Sequence, residues 1–178
     1  MVVTFDKIGG FFMIILGIDP GYSGGFVFYE ILGAKTSVIF EPMPLIILGK
    51  EKEIDFLKVR EILAFGAADH IFLERAMPFA MGSKHAFNYG RGFAALEIAI
   101  KLSKIPVTYV EPKKWCSVMH AGISDDLKPK IKSEIALSRL APSLLKNIPM
   151  TKKGKPHDGA MDSLLIAIYG ARALNVSK

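Results

Sequence analysis

A single cysteine, Cys116, stands among the 178 residues. No intrachain disulfide can form, which fits a reducing compartment. The four histidines, His70, His85, His120 and His157, show no zinc-ligand spacing. Each is expected to be an ordinary surface or core residue. The longest early apolar run, Phe11 to Ile18, falls short of the roughly 20 residues that span a bilayer. No basic flank precedes it, and Asp19-Pro20 follows directly. No membrane contact and no secretory signal are expected, so the expected location is intracellular: cytoplasm, nucleoid, an organelle or a viral replication site. Gly33-Ala34-Lys35-Thr36 hints at a phosphate loop but lacks the required glycines, and no nucleotide cofactor is expected. Internal repeats are absent, and no second domain is visible.

What is present is aliphatic and basic. About half of the chain is apolar, enough for one domain with one buried core. Met13 lies just before the first apolar strand. Residues 1–12 are therefore read as an optional extension and 13–178 as a single domain. The net charge is +6, and residues 101–155 hold 12 Lys/Arg against 4 Asp/Glu. A polyanionic partner or a solvated basic face would each explain that excess.

Residues 14–19 read as a fully buried strand ending in a carboxylate. Gly21, Gly24 and Gly25 make a turn, and strands over 26–30 and 36–41 follow, joined at Gly33. Residues 42–50 are expected to be loop. Phe56, Val59 and Leu63 give helical spacing within 52–65. Residues 70–74 form a short apolar strand, again ending in a carboxylate. A loop over 76–86 leads to a helix over about 87–104, a strand over 106–110, and helices over 112–120 and 129–140. A basic loop over 146–157 precedes a closing helix from about Asp158, with Leu164, Leu165, Ile168 and Ala171 on its apolar side. The order predicts an α/β fold with a mixed sheet: an antiparallel start, then parallel strands with helices on both faces.

Acidic residues stand where they can converge. Asp19 ends the first strand and Glu74 the fourth. Asp158 and Asp162, four apart, share a helix face. Each has an ordinary explanation: a turn at Asp19-Pro20-Gly21, a Glu74 pair with Arg75 or a lysine, a helix N-cap at Asp158, a dipole contact at Asp162. Taken together, those explanations account poorly for acids ending two apolar strands. Four gathered carboxylates repel unless cations bind, and hard oxygen ligands select Mg²⁺ or Mn²⁺. Two such ions about 3.5–4 Å apart can activate water and stabilise the leaving oxygen of a phosphodiester.

Ile18-Asp19-Pro20-Gly21 resembles the first-strand motif of RuvC-type Holliday-junction resolvases, of the RNase H-like superfamily. Phe72-Leu73-Glu74 resembles the strand with that family's second acid. His157-Asp158-Gly159-Ala160-Met161-Asp162, followed by Ser163-Leu164-Leu165-Ile166-Ala167, resembles its C-terminal acidic helix. Tyr89-Gly90-Arg91-Gly92 sits where a Gly/Arg-rich helix begins. Val110-Glu111-Pro112-Lys113-Lys114-Trp115 is most similar to the plant chloroplast branch. The likeness covers roughly residues 13–172. Bacterial members commonly space their last two ligands three apart. Here the spacing is four, as in the chloroplast branch, where the earlier ligand is histidine. Asp158 fills that position with His157 beside it, and Asp158 is the favoured ligand.

The resemblance implies an RNase H-like sheet of five strands. It implies a homodimer that nicks four-way junctions symmetrically, with two Mg²⁺ ions per site and Mn²⁺ as a substitute. Asp19, Glu74, Asp158 and Asp162 would be catalytic and hold metal, and Lys155 would stabilise the pentavalent phosphate. Arg91, Lys113, Lys114, Lys130, Lys152 and Lys153 are the expected DNA contacts, mostly to phosphates. Met77 and Phe79 are candidate wedges at the branch point, or core residues. Phe87, Ala94, Ile98 and Leu102 form an apolar stripe for dimerisation or for packing on the sheet. Trp115 belongs to the core or stacks on a base. Three other readings remain: a related nuclease for forks or RNA–DNA hybrids, a non-catalytic junction-binding module, and half of an actin-like or sugar-kinase ATP-binding fold. The single short domain argues against the last.

Overall fold

The computed structural model describes residues 11–49, 51–75 and 82–176. Strand β1 (Phe12–Asp19) is the centre of the molecule. It pairs antiparallel with β2 (Gly25–Leu32), which pairs antiparallel with β3 (Lys35–Pro42). On its other side β1 runs parallel to β6 (His70–Glu74), and β6 runs parallel to β7 (Val107–Val110). The sheet order is β3-β2-β1-β6-β7. This is the expected five-stranded mixed sheet, antiparallel first and then parallel.

Because side chains alternate along a strand, β1 feeds two cores. Ile14, Leu16 and Ile18 point to one face and join Val59, Ile62 and Leu63 of helix α1 (Phe56–Phe65). Leu96, Ala99 and Ile100 of helix α2 (Ser83–Ser103) complete that core. Ile15 and Phe72 point to the other face. There helix α6 (Asp158–Ala173) lies on β1 and β2. Helices α3 (Pro112–Met119), α4 (Pro129–Leu140) and α5 (Pro142–Leu145) cover it. Sandwiched in this way, α6 is buried almost all round, including Ala160, Met161, Ile166 and Ala167 outside the expected stripe.

Local chemistry moved several boundaries. The 42–50 segment is not wholly loop: β3 reaches Pro42, and β4 (Leu45–Leu48) pairs antiparallel with β5 (Glu51–Ile54) in a separate hairpin. That hairpin takes the start of the expected 52–65 helix. Asp55 then caps α1, accepting from the Lys58 amide at 3.1 Å, so the helix starts at Phe56, the first residue of the helical spacing. Helix α2 begins at Ser83 rather than near 87, taking the end of the expected 76–86 loop. The short α5 was not foreseen. It starts at a proline, whose fixed φ suits a first helical position. Among the described residues no helix is long and apolar enough to cross a membrane.

Candidate active site

The acids meet at the carboxyl ends of the parallel strands. Ile18 pairs with Leu73, so Asp19 and Glu74 are the next residues of adjacent strands. Both share the side-chain parity of Ile15 and Phe72, which faces α6. Helix α6 reaches them because of Gly17. A Cβ there would overlap the Ser163 carbonyl and the backbone of Ala167, so only glycine lets the helix lie directly on β1. Gly159 does the same at the helix start, against the 23–24 turn. Ser163 then ties the three elements. Its Oγ accepts from the Asp19 amide at 3.2 Å and donates to the Gly25 carbonyl at 2.9 Å.

Each acid has its own support. Asp19 Oδ1 accepts from the Gly21 amide at 2.9 Å. Burial pushes its pKa above the ordinary carboxylate value, against the Gly21 bond and the nearby His157 ring. Glu74 Oε2 accepts from the Trp115 indole N–H at 2.7 Å. Burial, opposed by that bond and reinforced by the charges of Asp19 and Asp162, lifts Glu74 to about 7. Asp162 Oδ1 accepts from Ser133 Oγ at 2.6 Å. Burial lifts it to about 6, opposed by Ser133 and reinforced by Asp19 and Asp158. These mutual fields mark one electrostatic cluster of four acids.

Asp158 is the first residue of α6, and His157 is the N-cap. The His157 Nδ1 accepts from the Ala160 amide at 3.3 Å, and its ring rests against Phe40. Asp158 is thus free of the capping role. Its Oδ1, enclosed and without a well-formed hydrogen bond, makes an ion pair with Lys130 of α4.

The structure distributes the other candidates widely. Lys155 is exposed on a turn where its backbone bonds Thr151; the lysine that meets Asp158 is Lys130. Lys152 and Lys153 are exposed on that turn, and Lys113 and Lys114 on α3. Arg91 bonds Glu53 at 2.6 Å and lies over the Phe87 ring. Met77 and Phe79 lie outside the described residues. Phe87, Ile98 and Leu102 are 65%, 53% and 59% exposed, and Ala94 is exposed too. That stripe does not pack on the sheet; the opposite face of α2 does.

Trp115, 3% exposed, is a core residue, one of its two expected roles, and its indole N–H, which the sequence did not mark, holds Glu74. Other site residues carried no expected role. Tyr89 faces the cluster, its hydroxyl raised to about 12 by burial and by the charges of Glu74 and Asp19. Burial and the charges of Glu74 and Asp162 lift the Cys116 thiol to about 12. Among the described residues, Ser133 and Ser163 are the buried polar side chains. Such residues must find partners, and that was the available signal for Ser163, next to Asp162 in an apolar helix. Ser133 and His120 carried no comparable sign.

Among the described residues, no three His, Cys, Asp or Glu side chains are drawn together tightly enough to hold an ion. Trp115, Ser133 and Lys130 fix Glu74, Asp162 and Asp158 each to a separate partner. The donor set nevertheless suits a hard divalent cation: carboxylate oxygens, of which those of Asp19, Glu74 and Asp162 have no ion-pair partner among the described residues and those of Asp158 have Lys130. None of the four acids lines the cleft between β5 and α2, which is bordered by Tyr22, Glu53, Arg91 and Ile98.

An antiparallel-then-parallel sheet with acids at its strand ends defines an RNase H-like fold. No protein-family model and no curated protein matches the chain. Solved structures do. Thermus thermophilus RuvC in complex with Holliday junction substrate has a TM-score of 0.56 and 16% identity, over 93% of this chain and 98% of that one. Another Thermus thermophilus RuvC structure has a TM-score of 0.56 and 15% identity, over 93% and 99%. The yeast mitochondrial Holliday junction resolvase Ydc2 has 0.49 and 17%, over 86% and 75%. The chain has the RuvC fold.

Proposed function

We propose that the chain is a divalent-metal-dependent endonuclease that resolves four-way DNA junctions, acting as a homodimer through symmetric nicks. The observation that carries this reading is the convergence of Asp19, Glu74 and Asp162 from two strands and a helix. The charges of Asp19 and Asp162 raise the pKa of Glu74, and that of Asp19 raises Asp162, on a fold like that of a protein solved with a Holliday junction substrate. The four-residue spacing of Asp158 and Asp162 supports a likeness to the chloroplast branch in motif pattern. A related nuclease for forks or RNA–DNA hybrids is the alternative, since it would use the same acids.

Asp19, Glu74, Asp158 and Asp162 would hold two Mg²⁺ ions, with Mn²⁺ as a substitute. Bound there, the metal supplies charge for an activated water and for the leaving oxygen. At neutral pH Glu74 is part-protonated, so it must give up a proton to become a ligand. Asp158 must release Lys130, whose ammonium is then free beside the acids to meet a phosphate oxygen. Lys113, Lys114, Lys152, Lys153 and Lys155 would hold the DNA backbone. The exposed stripe of α2 would join two copies, matching the near two-fold symmetry of a four-way junction.

The test is cleavage of a labelled four-way junction beside duplex, fork and RNA–DNA hybrid, in Mg²⁺ and in EDTA. The expected result is paired nicks in the junction only, in Mg²⁺ only. Asp19→Asn should abolish them while junction binding persists. Cleavage of hybrid or fork in preference would favour the alternative. Full junction cleavage by Asp19→Asn would sink the site assignment.

A further inference from the structure

Two acids of the cluster are held by partners from outside the sheet, and those partners share one neighbour. Glu74 is held by Trp115 of α3. Asp162 is held by Ser133 of α4. Between them lies His120, the residue that ends α3. Its ring meets the Trp115 ring edge-on, centroids 5.5 Å apart at 72°. Its Nε2 lies 3.3 Å from Ser133 Oγ.

The direction of these bonds follows from counting hydrogens. A serine hydroxyl has one proton. At 2.6 Å from a carboxylate oxygen that can accept, Ser133 spends this proton on Asp162. Ser133 can therefore only accept from His120, so His120 carries its proton on Nε2. The chain runs from the His120 N–H to the Ser133 hydroxyl to the Asp162 carboxylate. The main chain of His120 is fixed on both sides: its amide donates to the Cys116 carbonyl at 2.9 Å, and its carbonyl accepts from the Ile123 amide at 3.0 Å. Trp115 and Ser133 are 3% and 2% exposed, so both bonds are shielded from bulk water.

We propose that His120 is a positioning residue of this site: one imidazole, braced against Trp115 and bonded to Ser133, sets the placement of Glu74 and Asp162 together. The inference rests on the nuclease reading above. Outer groups that orient a ligand commonly govern metal affinity about 10–100-fold. Here one residue reaches two acids from different elements. A merely structural histidine would affect stability but not the affinity of the folded site.

The chain has a single tryptophan, so its indole N–H gives one resonance that reports directly on the bond to Glu74. The experiment is a Mg²⁺ titration of the full chain, followed by that resonance and by calorimetry. Wild type is compared with His120→Phe, which keeps a ring against Trp115 but loses the donor. His120→Gln keeps a donor for Ser133 but loses the ring, and Ser133→Ala breaks the relay. Expected are a shifted indole resonance in metal-free His120→Gln and about tenfold weaker Mg²⁺ binding in His120→Phe and Ser133→Ala, with recovery of only part of that loss in His120→Gln, which restores the Ser133 arm and not the Trp115 arm. Measured well below each variant's melting temperature, affinity reads the folded site alone. Wild-type affinity in both His120→Phe and Ser133→Ala would overturn the positioning role and leave the nuclease reading standing. A wild type that neither binds Mg²⁺ nor cleaves junctions would overturn both.

Discussion

Glu74 should destabilise the metal-free protein, and the effect should depend on pH in a direction unusual for a carboxylate. In the folded chain Glu74 keeps its proton to about 7, against an ordinary 4.5. Between those values the folded state binds more protons than the unfolded one, so stability falls as pH rises through the window and levels off above it. Holding the charge in that site costs about 3 kcal/mol at pH 8. Asp162, raised from 3.8 to about 6, acts in the same sense at lower pH. In Glu74→Gln the side chain keeps an oxygen for the Trp115 indole and carries no charge at any pH. Thermal unfolding in EDTA should find mutant and wild type close at pH 4.5. At pH 8 the mutant should melt higher by roughly 6 to 12 °C, the shift that about 3 kcal/mol makes in a chain of this size. Saturating Mg²⁺ should narrow the gap by stabilising the wild type alone. A difference that stays constant across pH, or a mutant that melts lower at pH 8, would refute the reasoning. Comparing the two proteins cancels the opposite contribution of His70 and His120, whose pKa values are lowered by burial.

Asp158→Asn and Asp162→Asn should each abolish Mg²⁺-dependent cleavage, while His157→Ala should only weaken it and lower stability by about 1 kcal/mol through the lost cap; cleavage rates and melting curves on the same preparations decide this. Gly17→Ala should cost at least about 1–3 kcal/mol in urea unfolding, because α6 must lift off β1 to make room. Cleavage should fall with it as Asp162 moves from Asp19. Replacing Ile98 and Leu102 with lysine should leave the fold intact, since both are exposed. Light scattering should then report half the wild-type mass; a wild type already monomeric with and without junction DNA would remove the stripe from the interface.

The sheet and the strand-end acids were legible because they follow from local rules. A buried strand is a short run of aliphatics, and a carboxylate cannot continue that run, so Asp19 and Glu74 stand out as endings. The closing helix was visible from its spacing, and its start at Asp158 from the acid beside the basic loop. The β4–β5 hairpin was harder to see. Leu45–Leu48 is exposed at Ile46, Ile47 and Leu48, so its pattern lacks the alternation that marks a half-buried strand. The stripe of α2 was visible, but periodicity alone cannot say which of two apolar faces meets the core.

By itself the sequence determined the type of the five sheet strands and the longer helices, and which residues could bear charge at their ends, since both depend on neighbours within a few positions. Only the tertiary structure decided the partners. Trp115 lies 41 positions from Glu74, and Ser133 lies 29 from Asp162. Lys155 is three residues from Asp158 and exposed on its turn, while the packing of α4 on α6 brings Lys130, 28 positions away, to Asp158. Sequence distance orders residues along a chain, whereas charge and hydrogen bonding act over a few ångströms. The docking of helices on the sheet, allowed at Gly17 and Gly159 by the absence of a side chain, is what converts one into the other.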